Sequence, residues 1–263
     1  MTEGDVTQAA QALAAARRSG VKFLPFAAAS GIGSIDDAYA VQHELVRLEN
    51  RRRGADIAGY KIGLTVKRMQ EMCGIDSPIA GVVFQDRVQT SGARLRPSAY
   101  GRLGLEFEIA VRMARDLEPN GRALELVDVA EAVDAVCPAF EIIDDRHADY
   151  GNLEILSLIA DNAWNAGIVL GDFVRPWPDL AAIEGIVSAD GKVVDRGFGR
   201  DVLGHPFHSV AWLAAHLARR GTKLRAGDIV MTGSLALTKF PDRTCTYRFD
   251  LSGLGAVEVS VDV

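Results

Sequence analysis

Two short acidic stretches constrain this chain more than anything else in it. Leu105-Glu106-Phe107-Glu108-Ile109-Ala110 alternates acid with apolar residues, and further on Ala139-Phe140-Glu141-Ile142-Ile143 sets one acid inside an apolar run. A strand sends alternate side chains to opposite faces, so Glu106 and Glu108 share one face while Leu105, Phe107 and Ile109 take the other. If the three carboxylates meet about 5 Å apart at an effective dielectric of about 20, each pair repels by roughly 3 kcal/mol and the three pairs by roughly 10 kcal/mol. Raised pKa values or a divalent cation would relieve that repulsion. Oxygen-only ligands favour a hard ion such as Mg²⁺ or Mn²⁺, and three carboxylates leave half of an octahedral shell open for chemistry. On spacing alone the plainer account is a solvent-facing strand edge, with Glu141 paired to Arg146.

The rest of the composition narrows the field. At 263 residues, 48% of them hydrophobic, the chain is long enough to bury one substantial core. A net charge of −6 gives no basic footprint for nucleic acid, and no apolar run is long enough to span a membrane. Cys73, Cys137 and Cys245 are widely spaced and odd in number, which suits a reducing compartment. With no signal-like start at Met1-Thr2-Glu3-Gly4-Asp5, the expectation is a soluble, cytoplasmic protein.

Residues 6 to 19 are predicted to form a helix that Gly20 ends. Ser30-Gly31-Ile32-Gly33-Ser34 reads as a linker, because a dinucleotide fingerprint needs a preceding strand and a third glycine. Ser34, with Asp37 three residues on, opens a second helix that reaches Arg51-Arg52-Arg53. From residue 56 short strands punctuated by glycine take over, the first being Ile57 to Leu64 with Lys61 inside it. Leu124 to Val136 is predicted helical, with Pro138 starting the second acidic strand, and Pro206 opens a helix that Gly221 closes. Short strands without strict βα alternation indicate an α+β or β-roll architecture. The expected division is an N-terminal helical region, 1–55, and a catalytic domain, 56–263.

Six motifs stand in one order: Gly59-Tyr60-Lys61-Ile62-Gly63-Leu64-Thr65, Glu106-Phe107-Glu108, Pro138-Ala139-Phe140-Glu141-Ile142, Ile159-Ala160-Asp161-Asn162-Ala163, Gly204-His205-Pro206 and Ala226-Gly227-Asp228-Ile229-Val230-Met231-Thr232-Gly233-Ser234. Together, from about residue 34 onward, they resemble the 2-keto-4-pentenoate hydratase and 4-oxalocrotonate decarboxylase family of the fumarylacetoacetate hydrolase-like superfamily. The resemblance implies a mixed β-sandwich roll like the fumarylacetoacetase C-terminal domain, with Mg²⁺ or Mn²⁺ held by Glu106, Glu108 and Glu141. It implies a lyase of aromatic-compound degradation acting on a small anionic 2-oxo acid, either adding water to a 2-hydroxy-2,4-dienoate or decarboxylating 2-oxo-3-hexenedioate. An acylpyruvate-type C–C hydrolase would need a His-Glu base pair that is not recognisable here. A non-catalytic 2-oxo-acid-binding partner is the remaining reading, favoured if Trp164 fills the pocket. The expected assembly is a homo-oligomer, with a related lyase of the same pathway as a candidate partner.

Individual roles follow from the same resemblance. Lys61, in an otherwise apolar strand, is the candidate for substrate attraction and proton transfer, since burial can bring an ammonium pKa into working range. Asp76 is expected to relay protons or merely cap its turn. Ser234, with Gly233 before it, is expected to offer its hydroxyl and backbone N–H to the substrate carboxylate. Arg146 and Asn162 are assigned to bracing the pocket or binding an anionic group, and His205 to capping the helix after it. Three departures from the family pattern bear on pocket shape: Gly104 where an arginine is usual, Trp164 where a small residue is usual, and Phe240-Pro241-Asp242 in place of a Gly-Asp turn.

Overall fold

The computed structural model describes residues 1–119 and 121–263. Among them the strands are β1 (Ile57–Gly63), β2 (Ile79–Phe84), β3 (Val88–Thr90), β4 (Ala93–Leu95), β5 (Leu103–Met113), β6 (Val133–Asp144), β7 (Asn165–Leu170), β8 (Glu184–Ala189), β9 (Lys192–Phe198), β10 (Ile229–Ser234), β11 (Cys245–Leu251) and β12 (Gly255–Val261). The helices are α1 (Glu3–Ser19), α2 (Ile35–Arg53), α3 (Lys67–Met72), α4 (Leu126–Ala132), α5 (Ile155–Ala160) and α6 (Pro206–Arg219). A seven-stranded sheet runs β2-β1-β10-β5-β6-β7-β3, and a five-stranded sheet runs β4-β12-β11-β8-β9. Both mix parallel with antiparallel pairs, the α+β sandwich that the strand pattern predicts.

The two sheets meet through the apolar side of the acidic strands. Leu105, Phe107 and Ile109 are fully buried, and the Phe107 ring packs edge-on against Phe140 at 5.4 Å and Phe249 of the second sheet at 5.7 Å. Each such aromatic contributes about 1.5–3 kcal/mol by burial, and each edge-to-face pair about 1 kcal/mol more. That face fixes the register, and the register in turn sends Glu106 and Glu108 to the other side.

The N-terminal helices start and stop where local chemistry requires. Thr2 and Asp5 form a reciprocal cap on α1, Ser34 accepts from Asp37 N on α2, and Gly20 and Gly54 close the two helices in the left-handed conformation. Their buried faces, including Leu13, Val41 and Leu45, join the same core as the sheets. Gln42 Nε2 bridges the carbonyls of Ala80 and Ile159 at 2.9 and 2.8 Å, tying α2 to the wall of the site.

The structure corrects one boundary. The predicted helix from Leu124 to Val136 ends at Ala132, and β6 begins at Val133, five residues before Pro138. Pairing with β5 from Met113↔Val133 to Leu103↔Asp144 overrides the helical pattern. Pro138 is tolerated inside the strand because pairing with β7 begins only at Ala139; at Pro138 itself the carbonyl accepts from Gly171 N at 2.8 Å and no ladder N–H is needed.

Candidate metal centre and cleft

Glu106 stands directly opposite Glu141 across the antiparallel β5–β6 pair, and Glu108 opposite Ala139. Paired residues project from one face, so the two-residue period and the register together converge three carboxylates. One oxygen from each lies within 4.8 Å of the other two. Glu108 and Glu141 are fully buried, and Glu106 is half-buried at the edge of a cleft.

Each acid is held by one oxygen. Gly233 N donates to Glu108 Oε2 at 2.7 Å, Asn165 Nδ2 donates to Glu141 Oε1 at 2.9 Å, and Thr238 Oγ1 donates to Glu106 Oε1 at 3.0 Å. Lys61 Nζ lies 3.2 Å from the same Glu141 oxygen. Glu108 Oε1 and Glu141 Oε2 are buried with no hydrogen-bond partner. A dry, unpaired carboxylate oxygen is costly, and two of them beside a third carboxylate form an all-oxygen donor set that fits a hard divalent cation. Glutamates 106, 108 and 141 are the residues that would hold it.

The electrostatics agree. Burial, then the neighbouring Glu141 and Glu106, push the Glu108 carboxyl well above the usual carboxylate range. Burial pushes Glu141 up to about 7, although Lys61 and the Asn165 amide pull the other way. Burial alone would depress the Lys61 ammonium, the direction expected from the sequence. The three glutamates outweigh it, and the pKa ends raised, so Lys61 holds its proton at Nζ. Its stem fits because position 81 is glycine: a Cβ there would sit 3.1 Å from Lys61 Cγ and 2.8 Å from the Asn162 carbonyl.

Above the acids opens a cleft of about 190 Å³ with Lys61, Thr65, Glu106 and Thr238 at its polar end. Residues 64–262 fit the family described as fumarylacetoacetate (FAA) hydrolase C-terminal. The chain belongs to the fumarylacetoacetate hydrolase family. Within it, the chain is 32% identical to a 2-keto-4-pentenoate hydratase of Paraburkholderia xenovorans (strain LB400), over 100% of its own length and 97% of the relative's. It is 35% identical to a 4-oxalocrotonate decarboxylase of Pseudomonas putida, over 84% and 83% of the two chains. The solved 4-oxalocrotonate decarboxylase from Pseudomonas putida G7, complexed with magnesium and adipate, superposes with a TM-score of 0.92 at 30% identity, covering 99% of this chain and 98% of that one.

In this member of the fumarylacetoacetate hydrolase family several other predicted site residues take supporting places. Ser234 lines the cleft, but its hydroxyl is committed to backbone: it accepts from Phe107 N at 2.9 Å and donates to Ala236 O at 2.8 Å. It therefore pins β5 at Phe107, between Glu106 and Glu108, instead of offering a free hydroxyl. Gly233 gives its N–H to Glu108, and at φ +114° a Cβ would lie 2.5 Å from Thr65 Oγ1, so only glycine allows that approach. Asp76 is exposed in the bend between α3 and β2, outside the cleft lining, so the structure does not bring it to the acids.

Arg146 and Asn162 sit behind the cleft. Arg146 donates to Asp161 Oδ2 at 2.7 Å, so its partner is Asp161 and not Glu141, and Arg17 of α1 grips the other oxygen of Asp161 at 2.7 Å. Asn162 pairs both side-chain atoms with the Val82 backbone, at 2.7 and 2.9 Å. Asn162, Ala163 and Trp164 are all left-handed, with φ of 55°, 46° and 60°, a strained turn that swings Trp164 into the cleft wall and Asn165 onto Glu141. His205 caps α6, accepting from Phe207 N at 3.0 Å. Asn165, Thr238 and Thr65 are the site residues that sequence reasoning missed. Thr65 and Asn165 lie within or beside quoted motifs, and Thr238 carries no local signal.

Proposed function

We propose that the protein is a metal-dependent hydratase that adds water to a 2-hydroxy-2,4-dienoate through its 2-oxo-enoate tautomer. The observation that carries this reading is the acid cluster beneath the cleft: two orphaned oxygens of the fully buried Glu108 and Glu141 beside Glu106, which lines the cleft together with Lys61. When bound by the three glutamates, a divalent cation supplies a Lewis acid for the negative charge that develops on the substrate's 2-oxo oxygen. Lys61 offsets the surplus negative charge of glutamates and substrate, attracting the carboxylate end into the cleft. Numbering carbons from the carboxylate, the dienol gives its O2 proton to water and gains one at C5 from protonated Lys61 Nζ, which the released proton restores. Water then adds its hydroxyl at C4 and its proton at C3, giving a 4-hydroxy-2-oxo acid.

Decarboxylation of 2-oxo-3-hexenedioate is the competing reading, favoured by the likeness to the solved 4-oxalocrotonate decarboxylase. A C–C hydrolase finds less support, since among the described residues no histidine lines the cleft, and a non-catalytic binding partner finds less support because Trp164 stands in the cleft wall without filling the pocket. We further propose a cytoplasmic homo-oligomer, able to associate with a related lyase; no helix among the described residues is long and apolar enough to cross a membrane. The deciding experiment offers Mg²⁺-loaded protein 2-hydroxypenta-2,4-dienoate and 2-oxo-3-hexenedioate, following dienol absorbance and CO₂ release. Metal-dependent consumption of the first with little CO₂ from the second is expected. Turnover of neither, with Mg²⁺ bound, would defeat the proposal.

A further inference from the structure

Beyond the acids and Lys61, the cleft changes character. Its outer walls are Leu64, Met69, Leu153, Leu158, Trp164 and Leu237, drawn from three separate segments of the chain. Among the described lining residues Lys61 is the sole cation, and it is already engaged at the floor by Glu141 at 3.2 Å. Two neighbouring arginines, neither of them in the cleft lining, are paired with aspartates. Arg102 is paired through Nε and Nη2 to the two oxygens of Asp145, with its guanidinium over the Phe240 ring at 4.3 Å, and Arg146 is buried against Asp161. Tyr150 in that wall gives its hydroxyl to Asp145 at 3.0 Å, and Trp164 Nε1, a donor without a partner, carries no charge. The rim itself is apolar and solvated, with Leu237 75% and Val66 40% exposed.

We infer that this site selects 2-oxo acids whose far end is uncharged, an alkyl, alkenyl or aryl tail, and discriminates against dicarboxylates. A second carboxylate placed between Leu153, Leu158 and Leu237 would lose its hydration and find no cation in exchange, whereas an apolar tail covers surface that water now wets. Phe240 and Gly104 build the same preference from behind. A Cβ on Gly104 would lie 3.1 Å from Phe240 Cε1 and 2.6 Å from Ile143 Cγ1, so with Phe240 in place no larger side chain, arginine included, fits at 104 without displacing its neighbours. The inference rests on the 2-oxo acid reading of the floor and adds the class of tail.

Calorimetry separates the two. Pyruvate, 2-oxohexanoate and 2-oxoadipate are titrated into Mg²⁺-saturated protein; the last two have the same number of carbons and differ only in ending on a methyl or a carboxylate. The expected result is metal-dependent binding of pyruvate, with 2-oxohexanoate at least about 10-fold tighter than 2-oxoadipate. Leu237→Arg, a change at an exposed side chain on the rim, should narrow the ratio by at least about threefold. If pyruvate binds but 2-oxoadipate equals or exceeds 2-oxohexanoate, the tail assignment is overturned while the floor stands. If none of the three binds in a Mg²⁺-dependent way, the floor reading falls and the tail assignment falls with it.

Discussion

Glu106 and Glu141 are directly paired residues on neighbouring antiparallel strands, two acids facing one another on the same side of a sheet. Opposed like charges destabilise a sheet, and here a third acid, Glu108, joins them with no water around it. Protons or a cation at its focus would relieve the repulsion. Replacing Glu141 with Gln removes one ligand charge while keeping the Asn165 contact. The expected outcome is a loss of Mg²⁺ affinity of at least about 100-fold, the upper range for merely disturbing a ligand's support. Unchanged affinity by calorimetry would remove Glu141 from the centre.

The same acids make stability depend on pH in a direction that metal reverses. Glu141 carries its proton up to about 7 in the folded, metal-free protein, against an ordinary value of 4.5. Its folded form therefore binds more protons than the unfolded chain between those values. That contribution is fully present below 4.5 and is lost as pH rises through about 7. Metal-free protein should lose stability across this window, and the gain from saturating Mg²⁺ should grow with pH because the ion takes the place of the proton. Urea midpoints at pH 5 and pH 8, with and without Mg²⁺, read this directly. An equal Mg²⁺ increment at both values would contradict it.

Lys61 is separable from the ligands by what its loss changes. Lys61→Met keeps most of the apolar stem beside Gly81 and removes the charge at 3.2 Å from Glu141. Turnover should fall by about 10²–10⁴-fold, the usual worth of a positioned proton donor, while Mg²⁺ affinity changes by less than about 10-fold. A variant that turns over at the parent rate would end the assignment.

Much of the site was legible because its ligands follow the two simplest rules of a strand, alternation and burial. Alternation put Glu106 and Glu108 on one face, but spacing alone left a solvent-facing strand edge as the plainer account; the family resemblance joined Glu141 and Lys61 to them, and the fold brings the four together. What holds them was not legible. Asn165 reaches Glu141 across 24 positions, Thr238 reaches Glu106 across 132, and Ser234 reaches Phe107 across 127, contacts that exist only after the sheet closes. The start of β6 escaped for a related reason: Val133 to Cys137 has no strong local preference, and its strand state comes from its partners on β5. Asp76 was placed by motif order, yet the chain around it leaves it in water.

A last relationship ties the N-terminal helix to the metal centre. Arg17 of α1 donates to Asp161 Oδ1 at 2.7 Å and to the carbonyl of Asn165 at 3.1 Å, while the Asn165 side chain holds Glu141 at 2.9 Å. Asp161 is fully buried between Arg17 and Arg146, and Arg146 is itself buried. Asp161→Asn preserves shape but leaves two guanidinium groups without their anion. Breaking a buried pair in this way costs roughly 3–5 kcal/mol, visible as a lower urea midpoint at unchanged slope. Because the left-handed turn from Asn162 to Trp164 hangs from Asp161, Asn165 should loosen its hold on Glu141 as well, and Mg²⁺ affinity should fall by about 10-fold or more. Loss of stability with Mg²⁺ affinity intact, measured where the variant is still folded, would confine Asp161 to the scaffold and sever the link from α1 to the acids.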